Sequence, residues 1–537
     1  MDATQEYLQR RDQLVREDRA LRVDASRLAS LTDIEAKAEA VVRATRAVEA
    51  DSVWGTGKSI FDYNPIDSTP NVFPGMAFLT ARETVTKTKL FQMLNKMPKG
   101  ALLHAHLDAT VNVDVLLKLA LAQPAMHVRA PARLTTSNIV ATLPEFKVLS
   151  PGAFSTSSSL TDSTYIGGEW VPLYRARETF DESLEGPVGF DNWVKRALTI
   201  NPSEAYGTHD SPTKIWAKFS STFLTCHNLI YYLPIWQQYI REFILSSIDD
   251  GISYVEARVN FLYKYMTGPD GLENLPHREW LIIFDRVLNE IKAELKEQGR
   301  QDELIGVKLI YTTIRFITPE ELEWYTEDAL ALKQEFPHLI AGFDLVGHED
   351  SLKPLIDYIE PLTKFMRRRE ELGVDLPFIF HAGETLGDGN APDMNLYDAI
   401  LLGTKRIGHG YSLVKHPKLM EICREKGIAV EVCPISNEIL RLTSSMPAHP
   451  LPILVNHGVH VSLCSDDPAV FGNMGLTFDF FQVLMASEVT GLLTLGEFAR
   501  DSIKYSMLED EEKAYALGLW EKRWLEFLEW VGRTGDE

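Results

Sequence analysis

Eight short apolar runs recur between residues 100 and 466, and most of the later ones are separated by amphipathic stretches. They are ALLHAH (101–106), ISYVEARV (252–259), IGVKLIY (305–311), LIAGFDLV (339–346), LPFIFHA (376–382), TKRIGHG (404–410), IAVEVCP (428–434) and HVSLCSD (460–466). Stretches such as PEELEWYTEDALALKQEFP and PKLMEICREKG carry the apolar spacing of helices that lie on a sheet. A strand followed by a returning helix demands parallel pairing with the next strand. Eight such units predict an α/β fold of the (β/α)8 TIM-barrel type.

At 537 residues the chain is long for one domain, unless it is a large barrel with insertions. The gap between the first two runs is far too long for one helix. Within it, roughly 128–195 is rich in Ser, Thr and Gly, as in FSTSSSLTDSTYIGG, and reads as a small inserted subdomain or lid. The stretch WAKFSSTFLTCHNLIYYLPIWQQYIREFI reads as buried aromatic-rich helix. The C-terminal EEKAYALGLWEKRWLEFLEWVG reads as an amphipathic structural helix. The predicted division is an extension over 1–90 and a barrel over 91–535.

Residues 3 to about 50 read as helix. Tyr7, Leu14, Leu21 and Leu28 fall seven apart, but the companion positions Arg11 and Asp18 are charged, so no full coiled-coil seam forms. This helix either lies on the body or serves as the arm of a homodimer. The GTGKS stretch resembles a phosphate loop, yet Ser52 stands where that motif needs a glycine, and no apolar strand precedes it. It reads as an ordinary loop.

The composition is that of a globular protein, 45% apolar and 24% charged. A net charge of −22 argues against nonspecific binding to nucleic acid or an anionic membrane. No apolar run is long enough to span a bilayer. Cys226, Cys423, Cys433 and Cys464 are too scattered for a disulfide framework, and no apolar leader or N-x-S/T acceptor is visible. These features predict a cytoplasmic protein.

In a barrel of this kind, reactive groups stand at the C-terminal ends of the strands. Of 14 histidines, His104, His106, His381 and His409 stand at three such ends. His104 and His106 alternate along a strand and so face the same way. Asp466 and Asp467 end the eighth run, and Glu384 follows His381 by three positions. Three imidazoles and a carboxylate, from His104, His106, His381 and Asp466, make a zinc shell with room for water. Bound zinc lowers the pKa of water to about 7. His409 would orient or deprotonate that water, and Glu384 would act as general acid or base. Taken singly, His409 between glycines suits a turn, while Glu384 and Asp466-Asp467-Pro468 suit helix starts. Their shared placement at strand ends favours chemistry.

The stretches LLHAHLDAT, GFDLVGHED, FHAGET, RIGHGYSL, EVCPISNEIL and LCSDDPAVFG resemble those of the adenosine deaminase superfamily. GFDLVGHED, EVCPISN and DSIKYSM are most similar to its adenosine deaminase-related growth factor branch. The resemblance implies zinc-dependent hydrolytic removal of the 6-amino group of adenosine or deoxyadenosine, with one Zn2+ per chain held by His104, His106, His381 and Asp466. It implies that Glu384 protonates ring N1, that His409 positions the attacking hydroxide, that Asp467 bonds N7 and that the Gly347 N–H faces N3. Trp216 matches a tryptophan near the pocket and could equally be core packing. The resemblance also favours a homodimer.

That branch is typically secreted and glycosylated, which this sequence does not display. Its third strand runs into a His-Arg pair facing the ribose, where this chain has Ile314-Arg315. The aromatic that often follows HAGET in that branch is also missing from FHAGETLGDGN. AMP, another adenine nucleotide or free adenine are therefore alternative substrates, and a non-catalytic growth-factor-like binding protein is a further one. A binuclear amidohydrolase would need a lysine at strand four, and a cytidine-type deaminase would need HxE with PCxxC. Neither is present.

Overall fold

Parallel strands occupy all eight expected runs in the computed structural model, which describes residues 2–55, 75–487 and 489–535. One sheet contains β1 (Gly100–His106), β2 (Ile252–Asn260), β3 (Gly306–Ile314) and β4 (Ile340–Val346), paired in that order. The other contains β5 (Phe380–Ala382), β6 (Arg406–His409), β7 (Ala429–Val432) and β8 (Val461–Leu463). Single bridges join the sheets at both edges, Phe343 to Phe378 and Ala105 to Asp466. The eight strands thus follow one another around a ring in chain order. They are buried almost throughout, as parallel strands covered by helices must be.

Local signals set the helices between them. Pro319–Glu335, for example, starts with Thr318 and Glu321 bonded to each other's backbone N–H, and with proline at its first position. Between β1 and β2 the chain forms a three-stranded antiparallel sheet of Met126–Arg129, Glu145–Val148 and Val171–Pro172, with Met126–Arg129 in the centre. The long aromatic helix expected after it is two helices, Pro212–Ile230 and Leu233–Asp249. The break falls before Pro234, which has no N–H to continue the first helix. Phe78, Ile215, Trp216, Phe219, Val470 and Phe471 form a separate apolar cluster.

The N-terminal helix expected over 3–50 is also broken. It comprises Ala3–Arg19, Ala25–Ala29 and Asp33–Ser52. A Thr32–Glu35 capping box starts the third piece, which packs against the C-terminal helix Asp510–Thr534. No side chain of Ala3–Arg19 is buried. The GTGKS stretch lies outside the described residues from position 56 onward. Among the described residues, no helix is long and apolar enough to cross a membrane.

Candidate active site

The bridge that closes the ring also builds the site. His106 N–H donates to the Asp466 carbonyl at 3.0 Å, and Asp466 N–H donates to the His104 carbonyl at 3.2 Å. This backbone pairing holds the Asp466 side chain between two imidazoles. Its Oδ1 lies 3.2 Å from His104 Nε2 and 3.4 Å from His106 Nε2. His381 arrives from the end of β5, its ring centroid 4.5 Å from that of His104. Ligand atoms of His104, His106, His381 and Asp466 all lie within 4.8 Å of one another.

These residues fit a divalent cation. Ligands about 2.0–2.1 Å from a tetrahedral ion are themselves about 3.3 Å apart, matching the spacing around Asp466 Oδ1. His104 Nε2 and Asp466 Oδ1 are buried with no hydrogen-bond partner, a costly arrangement for polar atoms unless something else engages them. Both inner imidazoles are also oriented from behind. His104 Nδ1 meets Glu431 Oε2 at 2.8 Å, and His381 Nδ1 meets Asp344 Oδ2 at 2.6 Å. A carboxylate on Nδ1 keeps the proton there and leaves the Nε2 lone pair facing the cluster. Burial, with His104 and Arg258 nearby, holds His381 well below the usual imidazole range and therefore neutral.

The supporting carboxylates are buried ions, stable only if paired. Arg258 bridges both, at 2.8 Å to Asp344 and 2.8 Å to Glu431. Arg406 joins Glu431 to Glu256, at 2.6 Å each. This layer, absent from the sequence reading, fills the floor beneath the imidazoles. Asp344 and Glu431 each sit mid-strand in a run that otherwise reads as apolar, which was the visible signal.

Glu384 and His409 face the same mouth. His409 Nδ1 is 3.5 Å from Glu384 Oε1, and His409 Nε2 is 3.9 Å from Asp466 Oδ2. His409 and Asp466 both have positive φ, 59° and 60°, so each strand end twists its side chain inward at a backbone cost of about 1–3 kcal/mol. Burial, reinforced by the Asp466 and Glu349 charges, pushes Glu384 well above the usual carboxyl range. Both causes favour its protonated form. Glu349 clamps its loop by accepting from the N–H of Glu384 at 3.0 Å and of Gly383 at 3.3 Å. Asp467 is likewise pushed up by burial and by Asp466, and its Oδ1 has no partner.

The remaining expected residues lie at the rim. Gly347 adopts φ +111°, and a Cβ there would come within 2.7 Å of Leu352. Trp216 does not reach the imidazole cluster. It stacks on His348, next to Gly347, at 4.2 Å and 13°, while also packing in the apolar cluster. Asp108 was not singled out from the sequence. Burial raises its carboxyl while His106 pulls it back, and it lies in the short helical turn Leu107–Ala109 that follows β1. Arg315, standing where a ribose-facing pair was considered, turns inward. Its guanidinium donates to the Leu345 carbonyl at 2.9 Å and to the His381 carbonyl, and pairs with Glu349 at 3.3 Å.

A parallel (β/α)8 ring whose mouth gathers three imidazoles, a carboxylate and a buried acid defines a class, the metal-dependent hydrolases. Comparison with known proteins narrows it. The profile of the family described as Adenosine deaminase matches residues 202–519. Adenosine deaminase 2 of Sus scrofa is 35% identical over 461 residues, covering 85% of this chain and 84% of that one. Adenosine deaminase 2 of Homo sapiens is 32% identical, covering 85% and 83%. Among solved structures, adenine deaminase from Arthrobacter aurescens superposes with a TM-score of 0.50 at 19% identity, covering 79% of this chain and 98% of that one. The N6-mAMP deaminase of Arabidopsis superposes at 0.53 with 16% identity, covering 80% and 99%. The chain belongs to the adenosine deaminase family.

These relatives correct the predicted compartment. They are adenosine deaminase 2 proteins, of the extracellular branch whose motifs this chain shares, and the cytoplasmic assignment is overturned. Cysteine count was a poor guide, because all four thiols are free and buried. A buried structural thiol is shielded from reaction and so carries little information about its compartment.

Proposed function

We propose that the protein is a zinc-dependent deaminase converting adenosine and deoxyadenosine, with water, to inosine and deoxyinosine plus ammonia. The observation that carries this is a buried Glu384, its carboxyl pushed up by burial, beside a four-residue cluster able to hold a metal. His104, His106, His381 and Asp466 would hold one zinc ion per chain. When bound, zinc lowers the pKa of water so that a strong nucleophile exists at neutral pH.

The chain's own groups supply the rest. An aromatic amine resists attack because the ring shares its electron density with C6. Glu384 donates its proton to N1, which withdraws that density and opens C6 to the nucleophile. N7 is a hydrogen-bond acceptor, so its partner must be a donor. A protonated Asp467 meets that demand, as does the Gly347 N–H for N3. His409 orients the attacking oxygen. Trp216, through its stack on His348, walls the purine side of the mouth.

AMP is the second reading, favoured by the absence of a histidine at the end of β3. The charges oppose it. Arg258, Arg315 and Arg406 are each paired with buried carboxylates and offer nothing to a phosphate. Ultraviolet assays with adenosine, deoxyadenosine, AMP and adenine test this directly. Turnover of AMP without adenosine would reverse the assignment. We further take 1–90 as an extension, 91–535 as the catalytic barrel with 128–195 inserted, and the exposed Ala3–Arg19 helix as a homodimer arm. Sedimentation should then report twice the chain mass; a monomer would discard the arm.

A further inference from the structure

A chain of three hydrogen bonds runs from a backbone amide to the mouth of the site, and it admits one assignment of protons. Leu451 N–H donates to His449 Nδ1 at 3.0 Å. A backbone N–H can only donate, so that nitrogen is an acceptor and the proton of a neutral His449 sits on Nε2. His449 Nε2 meets Asn437 Oδ1 at 2.9 Å. The Asn437 amide is thereby fixed, since the flipped form would set two donors face to face. Its Nδ2 then points at His409 Nδ1, 3.4 Å away. His409 Nδ1 is an acceptor in turn, and Nε2, which faces Asp466 Oδ2, carries the proton. All three side chains are buried.

We propose that His449 and Asn437 are positioning residues that lock His409 in its Nε2–H form, so that His409 holds the attacking water by donating to its oxygen rather than by taking its proton. This rests on the deaminase reading above for its consequence, but not for its geometry. Burial agrees with it at the outer end, lowering His449 to about 3 and keeping that ring neutral. The signal in the sequence was PISN with a histidine twelve positions on, in a segment with no role until the fold brings it behind β6.

The test uses zinc-loaded full-length protein with 15N-labelled histidine. The nitrogen shifts should show His409 unprotonated at Nδ1 and protonated at Nε2. In His449→Phe, the Asn437 amide is released, and the His409 signals should move toward the Nδ1–H form. The kcat of His449→Phe should fall about ten- to a hundredfold, the range for losing such an outer partner, with KM within about twofold and zinc content unchanged. His449→Gln, which restores a donor to Asn437, should recover most of the loss. A wild-type His409 protonated at Nδ1 would overturn the inference whatever the variants do. So would an unchanged kcat in His449→Phe, or a loss accompanied by zinc depletion. Absent adenosine turnover in the wild type would instead refute the function, leaving the tautomer assignment standing or falling by the spectrum.

Discussion

Glu384 and Asp466 line the same mouth, yet their surroundings push the two carboxyls in opposite directions. Burial and nearby negative charge raise Glu384. Burial would raise Asp466 as well, but its polar surroundings hold it well below the usual carboxyl range. One carboxyl can then serve as an acid and the other as a ligand, from the same residue chemistry. Glu384→Gln should therefore retain metal but lose at least about a hundredfold in turnover, because an amide has no proton to give N1. Metal analysis alongside rate measurement checks both halves, and retained turnover would remove Glu384 from its role. Another raised carboxyl lies away from the metal-ligating cluster. Burial lifts Glu438 from an ordinary 4.5 to about 7, against hydrogen bonds from Phe78 N–H and Tyr206. Since the folded value is the higher one, its favourable contribution is complete below about pH 4.5 and is lost as pH rises through about 7. Glu438→Gln should thus gain stability relative to wild type on going from pH 5 to pH 8. Thermal unfolding at the two values tests the sign, and a variant that loses ground to wild type between pH 5 and pH 8 would contradict it.

At the scale of elements, the ends of strands carry the site and their backbones are shaped for it. Gly408 in β6 shows how tight this is. A Cβ there would lie 3.0 Å from His104 Cε1 and 3.2 Å from His381 Cα. Gly408→Ala must displace the His104 ring or the β5 backbone, so it should weaken metal affinity more than it lowers the unfolding temperature. Competition with a chelator dye and a melting curve separate the two effects. The same strand ends mark what was legible beforehand. Alternation along a strand announces His104 and His106, and short apolar runs announce β5 to β8, because both are local patterns. The ion layer was not legible, since Arg258 meets Asp344 and Glu431 across separations of 86 and 173 positions. No spacing rule links residues whose neighbours are decided by ring closure. The N-terminal helix was misjudged for the opposite reason. Its apolar spacing runs on past a local restart signal, the capping box of Thr32 with Glu35.

On the scale of the molecule, the ligands tie the two edges of the ring together. His104 and His106 end the first strand, Asp466 follows the last, and His381 ends the first strand of the second sheet. The Ala105–Asp466 junction is a single bridge, whereas β1 to β4 pair along most of their lengths. An ion held there would reinforce one of the two single-bridge seams of the barrel. Binding to the folded chain alone adds stability that grows with free metal, about 2.7 kcal/mol at a hundredfold excess over the dissociation constant. Stripping metal with a chelator should therefore lower the unfolding temperature and restoring zinc should recover it. Hydrogen exchange should increase first at the backbone amides of His106 and Asp466, which make the closing bonds. If apo and zinc-loaded protein melted together and exchanged alike at those amides, the cluster would not be a metal centre.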